Sequence, residues 1–332
     1  MAEDNVLELK NFSLSFLMNG KNAYAVKDIS ISVKKGEIVG FVGESGCGKT
    51  LTSLSCMGLQ PEHAAISGQI EVCNRNIQSF TEKDWASFRG KKVSMIFQEP
   101  MSSLNPLEKV GKQISETGIL HGLSESEAKE RALYLMGELN MSEKEKIFKM
   151  YPHQLSGGQC QRIMIASALM NNPELLIADE PTTALDATTQ AQIIKLLKKM
   201  NSLLNVAILF VSHDILLVKK LCTKIYIMYA GCILECGDSD AVLKNPVHPY
   251  TKALLNSLPS FEKRNQDLNA ISGFVPPITA RNDDLSYLYE RWADAKKLCY
   301  IKENSVHANL AEGGIRSDHK VYCHQHNALE TI

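Results

Sequence analysis

The sequence contains Gly43-Glu44-Ser45-Gly46-Cys47-Gly48-Lys49-Thr50, an octapeptide that constrains the fold more than any other part of the chain. It fits the pattern G-x-x-x-x-G-K-[ST], whose glycines let the backbone wrap around a phosphate and point its amides inward. An apolar, β-prone run at residues 37–42 precedes it, and residues 51–59 can form a helix after it. Strand, glycine-rich loop and helix in this order predict a P-loop in an α/β fold.

Two side chains at the end of this loop have predicted chemical roles. Lys49 would reach the β- and γ-phosphates of a bound nucleotide, and the Thr50 hydroxyl would ligate Mg²⁺. The backbone of residues 43–50 would form the phosphate cradle, because amides and a helix N-terminus attract anions. The alternative is a chance glycine-rich turn, and the flanking strand and helix argue against it.

A second element is an apolar run at residues 175–178 that ends in Asp179 and Glu180. Such a run is typical of a strand buried on both faces of a parallel sheet, where ligands bind at the carboxyl ends of the strands. Asp179 would hold Mg²⁺ directly or through water, and Glu180 would polarise an attacking water as a general base. An ordinary strand that ends in a solvated acidic turn is the alternative interpretation.

The most specific motif is LSGGQCQR at residues 155–162. Its residues Ser156, Gly157, Gly158 and Gln159 open a helical stretch, so they form a second anion-binding helix N-terminus. The presence of a second phosphate cradle in the same chain requires an explanation. We therefore expect the second cradle to bind the γ-phosphate of an ATP molecule that a neighbouring subunit holds.

Taken together, these motifs resemble those of the nucleotide-binding subunit of ATP-binding cassette (ABC) proteins, over roughly residues 6 to 260. The resemblance implies an α/β fold, a P-loop NTPase cassette with a mostly parallel sheet core, an antiparallel β subdomain and a helical subdomain. The cassette would occupy residues 1–260, with the helical subdomain at about 106–170. Residues 261–332 would form a short C-terminal extension.

The same resemblance assigns further site residues. It implies that Gln98 senses Mg²⁺ and the membrane partner, that Asp186 in Ala184-Leu185-Asp186 faces the opposite subunit, and that His213 contacts the γ-phosphate. No catalytic position departs from the family pattern. We therefore expect an active ATPase whose catalytic residues are Glu180, His213, Gln98 and Lys49.

The adenine-binding aromatic residue has two candidates. Phe16 aligns by resemblance with the aromatic side chain that stacks on adenine. Tyr24 is close enough in sequence to take that role, and Phe16 would then pack in the core.

Two further segments resemble a subfamily of importers. NPVHPYTKALLNSLPS at residues 245–260 and EPMSSLNP at residues 99–106 are similar to segments of importer ATPases for dipeptides, oligopeptides and nickel. The resemblance favours a di- or oligopeptide importer, with a nickel or metal-chelate importer as the alternative. It implies two permease subunits, a second ATPase subunit in a heterodimer rather than a homodimer, and indirect action of an extracellular binding protein.

The tail departs from this subfamily, whose members often carry four cysteines associated with an iron-sulfur cluster. Here Ser286 and Trp292 occupy the first two cysteine positions, and only Cys299 and Cys323 remain. Because such clusters usually require four thiolates, we predict no iron-sulfur cluster. His324 and His326 follow Cys323 and are potential metal ligands with it, but a solvated tail is the preferred interpretation.

Composition limits the other possibilities. The 332 residues are 44% hydrophobic with a formal net charge of −1, which gives no general attraction to nucleic acid. The apolar runs are far shorter than the ~20 residues that span a bilayer, and the N-terminus does not read as a secretion signal. Nine scattered cysteines indicate free thiols in a reducing compartment. These features lead us to expect a cytosolic protein, and the resemblance to importer ATPases implies a peripheral position at the cytoplasmic face of the membrane.

Two rival functions have specific counter-arguments. Soluble cassette proteins that act on DNA or ribosomes commonly contain two cassettes or large coiled-coil or basic insertions, and this chain has neither. A cassette from an exporter is disfavoured by the segment at residues 245–260 and by the lack of fused membrane helices.

Overall fold

The computed structural model describes residues 4–183, 185–258, 271, 273–281 and 319–321. Its strands, in chain order, are β1 (Asn5–Met18), β2 (Lys21–Lys34), β3 (Ile38–Val42), β4 (Ala64–Val72), β5 (Arg75–Asn76), β6 (Val93–Ile96), β7 (Leu175–Asp179), β8 (Ala207–Ser212), β9 (Lys224–Tyr229), β10 (Cys232–Asp238) and β11 (Lys320–Val321). Its α-helices are α1 (Lys49–Ser55), α2 (Glu82–Phe88), α3 (Pro100–Ser103), α4 (Val110–Leu120), α5 (Glu125–Glu138), α6 (Lys144–Ile147), α7 (Gly157–Ala168), α8 (Ala187–Leu204), α9 (Ile215–Leu221), α10 (Ser239–Lys244) and α11 (Pro249–Asn256).

The larger sheet is mostly parallel, as predicted. Its spatial order is β11-β10-β9-β3-β8-β7-β6, and the five strands from β9 to β6 are parallel. β10 and β11 continue the sheet in antiparallel pairing. Every residue of β3, β7 and β8 is buried, because these apolar runs are covered on both faces.

A smaller antiparallel sheet has the order β2-β1-β4-β5, which confirms the predicted antiparallel subdomain. Apolar residues of β1 such as Leu9 and Leu14 join Val39 and Phe41 of β3 in one hydrophobic core. Ile38 and Val42, on the opposite face of β3, join a second core that the helices cover. The alternation of side chains along β3 therefore connects both layers to the central sheet.

The chain between β6 and β7 is helical. α4 packs against α5 and α7, and its Ile114 is fully buried with Leu135 and Ile163. Ser124 followed three residues later by Glu127 is the sequence pattern of a capping box, and α5 begins with one: Ser124 and Glu127 each accept a hydrogen bond from the other's backbone amide. In the part of the chain that the structure describes, no helix is long and apolar enough to cross a bilayer.

Helix α8 covers the parallel sheet with a narrower apolar face than its sequence predicts. The helical spacing of the apolar residues 193, 194, 196, 197, 200 and 203 predicts that all six face the sheet. Residues 193, 194, 196, 197 and 200 are buried as expected. The prediction is wrong at Leu203, whose surface is 47% exposed. It lies in the last turn of α8, where the helix ends at Leu204 and Asn205 takes a left-handed conformation.

The cysteines within the described ranges agree with the prediction of free thiols. None of these seven cysteines forms a disulfide bond. Cys47 is fully buried beside Gly43, in a crowded loop that leaves space only for a small side chain.

The two leucines of α8 give a matched test of this packing. Leu197→Ala should lower the free energy of unfolding by ~2–4 kcal/mol, because it leaves a cavity in the core. Leu203→Ala should lower it by less than ~1 kcal/mol, since 47% of the surface of Leu203 already contacts water. Urea denaturation followed by circular dichroism measures both, and equal losses would contradict the observed orientation of α8.

Candidate active site

The parallel strands bring the predicted residues to one edge of the sheet. The P-loop follows β3, His213 follows β8, Asp179 ends β7, and Gln98 lies two residues after β6. In the ladder, Val42 is in register with Ser212, and Asp179 with Val211. Because the carboxyl ends of these strands meet at this edge, four distant parts of the sequence form one site.

The P-loop has the backbone geometry that its glycines predict. Gly46 and Gly48 have φ angles of 78° and 112°, which residues other than glycine rarely adopt. A Cβ atom at Gly43 would lie 2.2 Å from the Met228 carbonyl oxygen. Both constraints favour glycine at these positions.

Lys49 is held at the base of the loop. Its side chain is 4% exposed, and its Nζ donates to the carbonyl oxygens of Gly43 at 2.7 Å and Glu44 at 2.9 Å. The positive charge is therefore fixed among the loop residues rather than extended into solvent.

Asp179 and Thr50 fit a divalent cation. Asp179 is 2% exposed, and its Oδ1 has no hydrogen-bond donor among the described residues. Burial raises the pKa of the Asp179 carboxyl, while its hydrogen bond with Thr50 opposes the rise. An unsatisfied buried carboxylate oxygen beside a hydroxyl suits Mg²⁺, which prefers oxygen ligands.

Glu180 is the centre of a hydrogen-bond cluster. Its Oε2 accepts from Gln98 Nε2 at 3.2 Å, Thr183 Oγ1 at 3.0 Å and His213 Nδ1 at 3.1 Å. The hydrogen bond with His213 lowers the pKa of Glu180 and raises that of His213. Three of the predicted catalytic residues therefore meet at one carboxylate oxygen, which is held in its ionised form.

The backbone of Glu180 is also unusual. It has φ = 46°, in the left-handed region that residues other than glycine seldom occupy. This conformation follows directly after β7, and the Glu180 amide donates to the Val211 carbonyl at 2.9 Å. The sheet thus continues to fix Glu180 beyond the last residue of the strand.

The second predicted cradle begins α7. Ser156 Oγ accepts from the Gln159 amide at 3.3 Å, and Gln159 Oε1 accepts from the Ser156 amide at 3.0 Å, which forms a capping box. Ser156 and Gly157 are exposed. α7 packs mainly on α3, α4, α5 and β6, whereas α1 packs on β2 and β7. Within one chain, the two phosphate cradles therefore belong to different layers.

Asp186 has a local structural role. It is the N-cap of α8, where its side chain accepts from the amides of Thr188 and Thr189 at 3.0 Å each. Its Oδ2 also accepts from Thr189 Oγ1 at 2.6 Å. These bonds fix the carboxylate at the start of the helix.

The two aromatic candidates have different surroundings. Phe16, near the end of β1, is partly buried and lines an open cleft with Leu17, Met18, His63 and Ile278. The Tyr24 ring is instead contacted by Lys27, whose Nζ lies 5.5 Å from the ring centroid. Phe16 therefore lies beside space that a ligand could occupy.

Two contacts to the P-loop come from residues that sequence reasoning missed. Tyr250 is fully buried in α11, and its hydroxyl donates to Glu44 Oε1 at 3.1 Å. Arg281 Nη2 donates to the Gly46 carbonyl at 3.2 Å. Tyr250 lies within residues 245–260, the segment that resembles importer ATPases. The sequence therefore marked this segment but not the contact of Tyr250 with Glu44. No pattern in the sequence identifies Arg281.

Some predictions fall outside the described residues. These are the ones that concern Ala184 and the tail positions Ser286, Trp292, Cys299, Cys323, His324 and His326.

Comparison with known families gives two matches along the chain. Residues 26–183 match the family described as ABC transporter. Residues 234–291 match the family described as the oligopeptide/dipeptide transporter C-terminal region.

Curated proteins of similar sequence are named as peptide transport ATP-binding proteins. The Oligopeptide transport ATP-binding protein AppD of Bacillus subtilis is 44% identical over 274 residues, which cover 82% of this chain and 84% of that protein. The Dipeptide transport ATP-binding protein DppD of Escherichia coli is 44% identical over 273 residues, with the same shares covered. The Oligopeptide transport ATP-binding protein OppD of Lactococcus lactis subsp. cremoris is 38% identical over 93% of both chains.

Solved structures agree with the fold. A dimeric structure of a post-hydrolysis state of the ATP-binding cassette MJ0796, bound to ADP and Pi, is 30% identical with a TM-score of 0.62. The similarity covers 70% of this chain and 98% of that one. CbiO1 from Clostridium perfringens has a TM-score of 0.63 at 27% identity and covers 73% and 92%, respectively. With the P-loop, the acidic strand end and the second cradle in place, this chain belongs to the ABC transporter family and is an ATP-binding subunit with the fold of an ABC ATPase.

Proposed function

We propose that this chain is the ATP-hydrolysing subunit of an importer of di- and oligopeptides. The observation that carries the hydrolytic role is the convergence of Gln98, Thr183 and His213 on Glu180 Oε2, beside the P-loop. The peptide substrate is supported by the names of the relatives and by the match of residues 234–291 to the oligopeptide/dipeptide transporter C-terminal region.

The site residues divide the work of hydrolysis. The P-loop amides bind the phosphates, and Lys49 neutralises charge on the β- and γ-phosphates. Glu180 is ionised by its hydrogen bond with His213, so it can accept a proton from the attacking water. The His213 side chain is 57% exposed, so it is accessible to the γ-phosphate that it would contact.

Thr50, Asp179 and Gln98 are the residues that would hold Mg²⁺. Mg²⁺ held by these residues would neutralise charge on the phosphates. The role of Asp179 is supported by its buried Oδ1, which has no donor in the described ranges.

The separation of the two cradles supports a dimeric assembly. Each ATP would lie between residues 43–50 of one subunit and residues 156–159 of another, with Asp186 at the shared face. We favour a heterodimer with a second ATPase subunit over a homodimer. Phe16 stacks on the adenine in this arrangement.

The assembly would sit at the cytoplasmic face of the membrane on two permease subunits, with an extracellular binding protein delivering the peptide. Residues 1–260 form the cassette, whose helical subdomain at about 106–170 contacts the permease together with Gln98. Residues 261–332 form the extension. Closure of the cassettes on ATP drives the permease to its outward-facing state, and ATP hydrolysis returns the permease to its starting state.

Replacing Glu180 by Gln tests the hydrolytic role and the substrate together. We expect ATP affinity to change less than ~2-fold, and turnover by the assembled transporter to fall at least ~10²-fold, because Gln cannot act as a base. Cells that depend on this variant should lose uptake of radiolabelled di- and oligopeptides and keep nickel uptake.

Glu174→Gln is the matched control, because Glu174 precedes the same strand at its other end and pairs with Lys92. It should retain wild-type turnover and uptake. Undiminished hydrolysis by Glu180→Gln would refute the assignment of the base. Loss of nickel uptake with normal peptide uptake would refute the substrate.

The second cradle has a built-in control, because Ser124 and Ser156 cap their helices with the same geometry. Ser156→Ala and Ser124→Ala should each cost about 1 kcal/mol of stability through loss of the cap. Only Ser156→Ala should also reduce turnover of the assembled transporter, by about 10-fold or more, since it removes a hydrogen bond to the γ-phosphate.

Thermal unfolding and steady-state phosphate release measure the two effects. ATP binding to the isolated Ser156→Ala chain should match the wild type. Equal turnover in the two variants would show that residues 156–159 do not bind a phosphate.

A further inference from the structure

A segment beyond α11 lies against the nucleotide-binding edge. The described residues 273–281 include the short helical turn Ile278–Ala280 and end at Arg281. Residues 274–278 and Arg281 form one wall of an open cleft, and Glu44, Ser45 and Gly46 of the P-loop form the other. The C-terminal region therefore reaches the phosphate cradle.

Arg281 fixes this segment to the P-loop and to β2. Its Nη2 donates to the Gly46 carbonyl at 3.2 Å, and its Nη1 donates to the carbonyls of Ala25 at 3.1 Å and Tyr24 at 3.4 Å. Its Nε donates to the Pro276 carbonyl at 3.2 Å, which closes a turn within the segment. One guanidinium thus joins three parts of the chain at the cradle.

The charge of Arg281 also acts on the loop. Burial raises the pKa of the Cys47 thiol, and the positive charges of Lys49 and Arg281 oppose that rise. A cation that affects a side chain at the centre of the P-loop also adds to the positive potential that attracts phosphate.

Ile278 connects this cleft with the one beside Phe16. It lines both clefts and packs on the same hydrophobic core as Phe16. The clefts measure ≈ 530 Å³ and ≈ 660 Å³, within the ~300–1,000 Å³ typical of small-molecule sites. A nucleoside that extends from the P-loop into the Phe16 cleft therefore passes Ile278.

The second cleft has the chemistry of a base-binding slot. Four of its five lining residues are apolar, namely Phe16, Leu17, Met18 and Ile278. Leu17 is 75% exposed and Met18 is 41% exposed, so apolar surface is available to a flat ring. A sugar or phosphate group would gain less from this surface than a nucleobase.

We infer that residues 273–281 complete the ATP site from outside the cassette. Ile278 forms the wall of the base slot that faces Phe16, and Arg281 holds the P-loop at Gly46 and adds positive charge for the triphosphate. The inference rests on the proposed ATPase function and adds a segment of the C-terminal region to its nucleotide site.

Binding measurements on the full chain separate the two roles. The probes are ATP and inorganic tripolyphosphate, each measured with Mg²⁺ by displacement of a fluorescent ATP analogue. Ile278→Ala should raise the Kd of ATP about 5-fold and change that of tripolyphosphate less than ~2-fold, because only ATP carries a base. Arg281→Ala should raise both values about 10-fold, and Arg281→Lys should restore part of the loss.

Matched controls address general effects on the fold. Ile66→Ala truncates an isoleucine on β4 that packs on the same core and lines neither cleft. Arg131→Ala removes an arginine on α5 that also donates to a backbone carbonyl, that of Met170. Both controls should bind ATP and tripolyphosphate as the wild type does.

Several outcomes would overturn the inference. Unchanged ATP affinity in Ile278→Ala and Arg281→Ala would show that the segment lies outside the site. Tighter binding would show that it obstructs the site. Equal weakening of ATP and tripolyphosphate by Ile278→Ala would remove the base slot. Failure of the wild-type chain to bind ATP would instead contradict the assigned ATPase function.

Discussion

The site depends on the register of four parallel strands. β3, β8, β7 and β6 are aligned so that the P-loop, His213, Asp179 and Gln98 emerge at one edge. A slip of one residue in β7 would turn Asp179 to the opposite face and reverse which apolar residues enter each core. The hydrophobic pattern that buries these strands on both sides therefore also positions the catalytic groups.

Much of this arrangement is predictable because it is encoded locally. The glycines of the P-loop, the apolar run before Asp179 and the capping residues of α7 each specify their own backbone geometry. The family resemblance assigned Gln98 and His213 to the site, but their convergence on Glu180 was not predicted, because strand order cannot be read from these motifs. The helical periodicity did not predict that Leu203 is exposed, because periodicity does not show where a helix leaves the sheet.

The contacts that sequence reasoning missed join residues far apart along the chain. Tyr250 is 206 residues from Glu44, and Arg281 is 235 residues from Gly46. Neither belongs to a motif with its partner, so only the folded chain brings them together. Both partners lie in the P-loop. Arg281, which lies beyond the cassette, consequently contacts the phosphate-binding loop directly.

The most direct test of the central claim is a cryo-EM structure of the assembled transporter carrying Glu180→Gln with bound ATP. We expect two nucleotides at the interface between the ATPase subunits. The γ-phosphate on the partner subunit should contact Ser156 to Gln159 of this chain, and the nucleotide on this chain's P-loop should contact the partner subunit. A nucleotide bound by one subunit alone, with residues 156–159 facing solvent, would contradict the account.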